Sequence, residues 1–172
     1  MKTDLRTPSA ESIPELPIRA ATLDDVVGIH RLLKHFSDRG TLLPRPESDI
    51  YHSLREFQVV QLGEKIVACC ALQIFTRNLG EIRSLAVSPE YAGFGLGKRL
   101  VHSAEQDAQQ LGLGKLMALT YEVQFFNKLG FDVVEMNVLP EKVWGACINC
   151  HKFRNCDEIA VLKILSSQST EL

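Results

Sequence analysis

The chain has little of what marks a membrane, exported or nucleic-acid-binding protein. No apolar run approaches the roughly 20 residues a membrane helix needs. The longest, IVACCALQIF at residues 66–75, falls well short. The opening MKTDLRTPSAESIPELP mixes charge, proline and serine and holds no apolar export segment. A cytoplasmic location is therefore expected, with the five cysteines mostly reduced. Basic residues do not dominate: 19 Lys and Arg stand against 21 Asp and Glu, a formal net charge of −2. Without a basic run, nothing points to a nucleic-acid partner. Internal repeats are absent, and no composition shift marks a second domain.

What is present is one soluble domain. The chain has 172 residues, 45% of them apolar, enough to bury a core. Residues 1–16 read as a disordered lead, 17–165 as the domain and 166–172 as a frayed tail. PIRAA (17–21) reads as a short strand. Thr22 then caps a helix with Asp24 and Asp25 in its first turn, where the helix dipole favours anions. Val26, Ile29, Leu33 and Phe36 fit one face of that helix, with His30 as a core or boundary residue. A second helix is expected from Glu47 to Phe57. FQVVQLGEKIVACCALQIF (57–75) reads as a hairpin turning at Gly63-Glu64. GEIRSLAV (80–87) is a further strand. The next helix places Leu96, Leu100, Val101, Ala104, Ala108 and Leu111 on one face and stops at Gly112. KLMAL (115–119) is a buried strand, VQFFNKL (123–129) a helix, and FDVVEM and EIAVLKIL the last strands. The order β-α-α-β-β-β-α-β-α-β-β describes a mixed α/β sandwich.

Between the strand at 80–87 and its helix lies SPEYAGFGLGKRL (88–100), with glycines at 93, 95 and 97. The dinucleotide fingerprint wants G-x-G-x-x-G after the first strand of a parallel fold; this run has other spacing and comes late. A P-loop wants G-x-x-x-x-G-K-[ST]; Arg99 stands where Ser or Thr is needed. What remains is a side-chain-poor loop of N–H groups running into a helix N-terminus, which suits an anion such as a phosphate. A turn that binds nothing is the plainer alternative. Placing several glycines there costs backbone entropy, which argues against it.

The stretches LAVSPEYAGFGLGKRL and FFNKLGF resemble the GNAT acyl-CoA-dependent N-acetyltransferases. The resemblance covers nearly the whole chain, from Arg19 to about Lys163. It implies a mixed, mostly antiparallel central sheet with helices on both faces. It implies acetyl-CoA as co-substrate, with its pyrophosphate held by Ala92, Gly93, Phe94, Gly95, Leu96, Gly97 and Lys98. Leu85, Ala86 and Val87 are then expected along the pantetheine arm, and Phe126 beside the cofactor. Two departures stand out. Ala92 replaces the usual Arg or Gln before the glycines, which implies weaker coenzyme binding. Phe126 replaces a tyrosine that commonly protonates the leaving thiolate; Tyr121 is the nearby substitute, set against a plain packing role.

An attacking amine must be unprotonated, and a carboxylate, directly or through water, can take its proton. Glu81, opening the strand that leads to the loop, is the candidate base; the alternative is a solvated strand-end glutamate. LGEIRSLAVSPEY, LTYEVQFFNKLGF and PEKVWGACINCHKFRNCDEIAV together resemble a narrower group. These are the short single-domain amino-acid N-acetyltransferases of arginine biosynthesis, the N-acetylglutamate synthase type. That resemblance implies acetyl transfer to L-glutamate. A dicarboxylate calls for cations, and Arg45, Arg83 and Lys142 are the candidates, with hydroxyls from Ser84 and Thr120. Another small amine, a protein N-terminus, or a non-catalytic acyl-CoA-binding module remain alternatives, as does a homodimer. CINCH (147–151) matches a haem-attachment string, but without an export signal covalent haem is not expected. Cys147, Cys150, Cys156 and His151 form one crowded cluster without the second pair that zinc sites carry, so no metal is expected. Cys69 and Cys70 read as core.

Overall fold

The computed structural model describes residues 13–139, 147–150 and 156–165. Its elements are β1 (Ile18–Ala20), α1 (Val26–Ser37), α2 (Glu47–His52), β2 (Phe57–Leu62), β3 (Lys65–Ile74), β4 (Leu79–Val87) and α3 (Leu96–Gln110). There follow β5 (Lys115–Thr120), α4 (Val123–Lys128), β6 (Asp132–Val134) and β7 (Ile159–Ile164). The strands order as β1-β2-β3-β4-β5-β7-β6. The β1/β2, β5/β7 and β6/β7 pairs are antiparallel, and β4/β5 is parallel. The mixed, mostly antiparallel sheet matches the expected class. By contact density the chain divides into Met1–Cys69 with Leu85–Leu100, and Cys70–Ser84 with Val101–Leu172.

In the first unit, Val26, Ile29 and Leu33 of α1 are buried with Val59, Val60 and Val67. Phe36, expected on that face, is only half-buried, and Leu32 is buried instead. Helix α1 lies so close to β3 that a methyl at Gly28 would meet Ile66 Cγ1 at 2.7 Å. The entry to α1 is a 3-10 turn, Leu23–Asp25. Its Asp25 carboxylate accepts the Thr22 N–H at 2.7 Å and is paired by Arg19 Nη1 at 2.7 Å. The Arg19 hydrogen bond, with help from Thr22, pulls the Asp25 carboxyl down to about 2 against its desolvation. His30 sits at the boundary, its Nδ1 3.5 Å from Glu47 Oε1. Ile13 is buried in a 3-10 turn, Ile13–Glu15, ahead of β1.

The second helix is shorter than expected. It ends at His52, because the Ser53 hydroxyl donates to Asp49 O at 2.7 Å and the Ser53 backbone leaves the helical region. A 3-10 turn, Leu54–Glu56, follows, and Phe57 opens β2. The hairpin turns where expected, with Gly63 at φ 59 between β2 and β3.

In the second unit, β5 pairs with β7 along its whole length, from Lys115↔Ile164 to Thr120↔Ile159. Leu79, Met117, Leu139 and Ala160 form a buried cluster there. The α3 C-terminus is closed by Gly112 at φ 79, with Leu113 N–H donating back to Ala108 O at 2.9 Å. That turn buries Leu113 and leaves Leu111 57% exposed, so Leu111 does not belong to the core face assigned to it. Lys163 Nζ joins Glu105 Oε1 at 2.7 Å and Leu129 O at 2.8 Å, tying α3, β7 and the end of α4.

Candidate active site

The first unit contains the glycine loop. After β4, Ser88 N–H donates to Val67 O at 2.7 Å, and a 3-10 turn, Pro89–Tyr91, leads on. Lys65 Nζ meets Glu90 Oε2 at 3.2 Å and lies over the Tyr91 ring. Gly93 and Gly95 follow at φ 83 and 81, a conformation other residues rarely hold. Gly97 differs from them: it belongs to the first turn of α3. Leu96 is buried and anchors the helix start, whereas Ala92, Gly93, Gly95 and Lys98 are exposed and Phe94 is half-buried. After Ala92, whose N–H donates to Pro89 O at 3.3 Å, the next backbone amide with a backbone acceptor among the described residues is that of Arg99, which donates to Gly95 O at 3.0 Å. Among the described residues, the amides from Gly93 to Lys98 have no backbone acceptor. Among the described residues, a methyl added at Gly93 or Gly95 would meet nothing within 4 Å. A row of unpaired donors at a helix start beside open space suits an anion by hydrogen bonding and dipole together. Leu85, Ala86 and Val87 lead into this loop, with Ala86 buried and its two neighbours half-buried.

The second unit contains the titratable candidates. Glu81 lies in β4, where the parallel register with β5 covers Leu79↔Lys115, Gly80↔Leu116 and Glu81↔Met117. Its side chain is 4% exposed. Two residues on, on the same strand face, Arg83 Nε stands 3.6 Å from Glu81 Oε2. Arg83 Nη1 donates to Gln73 Oε1 of β3. Ser84 holds φ 51, outside glycine's company, which stores strain of about 1–3 kcal/mol in the strand. Thr120 is buried, and its hydroxyl oxygen accepts the Glu122 N–H at 2.8 Å, shaping the turn into α4.

The remaining candidates have partners of their own. Tyr121 is exposed and donates its hydroxyl proton to Asp157 Oδ1 at 2.6 Å, which engages the group proposed as acid. Phe126 is buried edge-on between Phe125 and Phe131, with centroids 5.1 and 5.2 Å away, so packing occupies this ring. Arg45, in the first unit, bonds Ser53 Oγ at 2.8 Å, approaches Glu56 Oε2 at 3.9 Å and lies over Phe57. That guanidinium is engaged by its own unit. Lys142 and His151 lie outside the described residues. Cys147 is buried, Cys150 half-buried and Cys156 exposed, all as thiols. Among the described residues no group of His, Cys, Asp or Glu could hold a metal ion. Burial pushes the Cys70 thiol up to about 12. Among the described residues, no helix is long and apolar enough to cross a membrane. Gln73 and Asp157 were not read from the sequence; a side chain's partner on another strand or loop carries no local signal.

The loop geometry and the strand order define a class, and comparison with known proteins identifies it. Residues 26–131 match the Acetyltransferase (GNAT) family, and the chain belongs to that family. Its chemistry is acyl-CoA-dependent N-acetylation, with acetyl-CoA as the donor. The chain is similar to the uncharacterized N-acetyltransferase CT2212 of Chlorobaculum tepidum, 36% identical over 148 residues, 86% of this chain and 96% of that one. It is also similar to the amino-acid acetyltransferase of Escherichia coli, 32% identical over 126 residues. That match covers 72% of this chain but only 28% of the longer protein. Rv2747 from Mycobacterium tuberculosis, solved in complex with CoA and NLQ, has a TM-score of 0.75 at 28% identity, covering 87% of this chain and 99% of its own. The N-acetylglutamate synthase from Neisseria gonorrhoeae, complexed with coenzyme A and N-acetyl-glutamate, shares the fold. Its TM-score is 0.78 at 24% identity, over 88% of this chain and 35% of that one.

Proposed function

We propose that this protein transfers the acetyl group of acetyl-CoA to the α-amino group of L-glutamate, with residues 17–165 as the acetyltransferase domain. One observation carries the reading. The strand that runs into the donor loop also holds a buried carboxylate, Glu81, and a guanidinium, Arg83, two residues apart. Acetyl-CoA supplies an acyl carbon activated as a thioester. The amides from Gly93 to Lys98 hold its pyrophosphate, and Leu85, Ala86 and Val87 offer backbone groups to its arm.

Glu81 takes the proton of the incoming ammonium, so that the free amine attacks the carbonyl carbon. A backbone N–H of β4 stabilises the oxyanion. The C–S bond then breaks. The thiolate, a fair leaving group with a pKa near 8.5 for an ordinary thiol, takes through water the second proton that the attacking nitrogen sheds as it becomes an amide. Arg83, whose side chain is 29% exposed, binds the acceptor's carboxylate, its flat guanidinium matching that group. The amino-acid acetyltransferase relatives and the CoA-complexed structures support this assignment. The test is release of free CoA thiol from acetyl-CoA with a panel of amino acids, a carboxylate-free amine and one peptide. L-Glutamate is expected to give the highest kcat/KM. A peptide exceeding every amino acid would overturn the assignment.

A further inference from the structure

Acetyl transfer leaves the CINCH string at 147–151 without a task. Its two cysteines close a turn. Cys147–Asn149 form a 3-10 helix, and the Cys150 N–H donates back to Cys147 O at 3.0 Å. A turn of this kind keeps its first and fourth Cα atoms within about 7 Å. A disulfide bridges Cα separations of about 4.4–6.8 Å. The backbone therefore holds the pair at a span that a disulfide can close, while both residues are thiols. Their access differs: Cys147 is 9% exposed and Cys150 is half-buried. Between them Ile148 and Asn149 are exposed, so the outer side of the turn meets solvent.

The other cysteines lack this arrangement. Cys69 and Cys70 are consecutive in β3, so their side chains point to opposite faces, and both are buried. Cys156 is exposed but lies beyond the turn. Nor do the two thiols suit a metal. A closed zinc site takes four ligands, and among the described residues no group of three or more metal-binding side chains forms. We propose that Cys147 and Cys150 are a reversible redox site that reacts with low-molecular-weight disulfides and closes to an intramolecular disulfide.

The Cys150 thiolate, the more accessible of the two, attacks one sulfur of the small disulfide. That S–S bond breaks, one small thiolate leaves and takes a proton from solvent, and a mixed disulfide remains on Cys150. Cys147 then gives its proton to solvent and attacks the Cys150 sulfur, expelling the second small thiolate, which is protonated in turn. The protein has lost two electrons and two protons, and the small disulfide has gained them as two thiols. A bridge confined to one partly exposed turn is of the readily reduced kind, so excess small thiol reverses the exchange. This chemistry is independent of the acetyl acceptor.

The test treats reduced protein with oxidised glutathione at pH 8, quenches it in acid, and alkylates it unfolded before digestion and mass spectrometry. Trypsin places Cys147 and Cys150 together in peptide 143–152, Cys156 in peptide 155–163, and Cys69 with Cys70 in peptide 66–77. Peptide 143–152 should lose two hydrogens and escape alkylation, and excess reduced glutathione should restore both alkylated cysteines. Cys69 and Cys70 should remain thiols, and Cys156→Ser should bridge like wild type. Cys147→Ser removes the second attacker, so glutathione should stay on Cys150. Should that variant not fold, the wild-type peptide decides alone. Both cysteines of peptide 143–152 found alkylated, glutathione retained on Cys150 in wild type, or a bridge to peptide 155–163 would each overturn the proposal. So would oxidation of Cys69 and Cys70 at the same rate.

Discussion

Gly95 allows the phosphate-binding loop to be tested against a matched control. Its φ is 81, and a methyl there would meet no atom of the described residues within 4 Å. Among the described residues Gly95→Ala therefore clashes with nothing, and it suffers only the left-handed backbone strain of an L-residue, about 1–2 kcal/mol. Gly40 has φ 74 and equally open surroundings, so Gly40→Ala carries the same strain at a different place. Both variants should lose a similar, few-degree increment of Tm. Only Gly95→Ala inserts a methyl among the unpaired amides from Gly93 to Lys98. Losing one charge-assisted hydrogen bond is worth about 1.5–3 kcal/mol. CoA affinity should accordingly fall at least tenfold, a factor worth about 1.4 kcal/mol. Isothermal titration of CoA into wild type, Gly95→Ala and Gly40→Ala reads this directly, with Tm measured alongside. Equal CoA affinity in the two variants would remove the loop from the coenzyme site.

Glu81→Gln should lower kcat by about 10²–10⁴, with the deficit shrinking as pH approaches the amine's own pKa, because the free amine then forms unaided. Parallel kcat–pH profiles less than threefold apart would remove Glu81 as the base. The low Asp25 pKa, about 2, means that this carboxylate stabilises the fold fully above its unfolded value near 3.9 and loses that contribution as pH falls toward 2. Asp25→Asn should cost about 1–2 kcal/mol at pH 7, discounted for the exposure of Arg19, and should flatten the stability curve between pH 4 and 2 in urea titrations. Cys156 is exposed whereas Cys69 and Cys70 are buried. Alkylation of the native protein at pH 8 should mark Cys156 within minutes and spare Cys70; mass spectrometry showing equal labelling would contradict the packing described for β3.

Features written into short stretches of chain were legible in the sequence. The Gly63-Glu64 turn, the stop at Gly112 and the apolar runs of β3 and β5 each follow from local chemistry. So did the character of the loop at Gly93 and Gly95, although Gly97 proved to be part of the helix. Local reasoning failed where a competing bond decided the outcome. The Ser53 hydroxyl ended α2 early, and the turn at Gly112 buried Leu113 in place of Leu111. It failed more widely for side-chain pairs. That Gln73 meets Arg83, or that Asp157 takes the Tyr121 hydroxyl, depends on tertiary placement, which no local pattern encodes. The partners of Arg45, namely Ser53, Glu56 and Phe57, carried no local signal either.

The central claim is that an acetyl group moves from acetyl-CoA to the α-amine of glutamate. The most direct measurement follows carbon-13-labelled acetyl-CoA by NMR in the presence of the purified protein and L-glutamate. The account predicts growth of an N-acetyl amide signal on the α-nitrogen, equal in amount to the CoA released and abolished in Glu81→Gln near neutral pH. Saturable CoA binding with no amide formed on glutamate would contradict it.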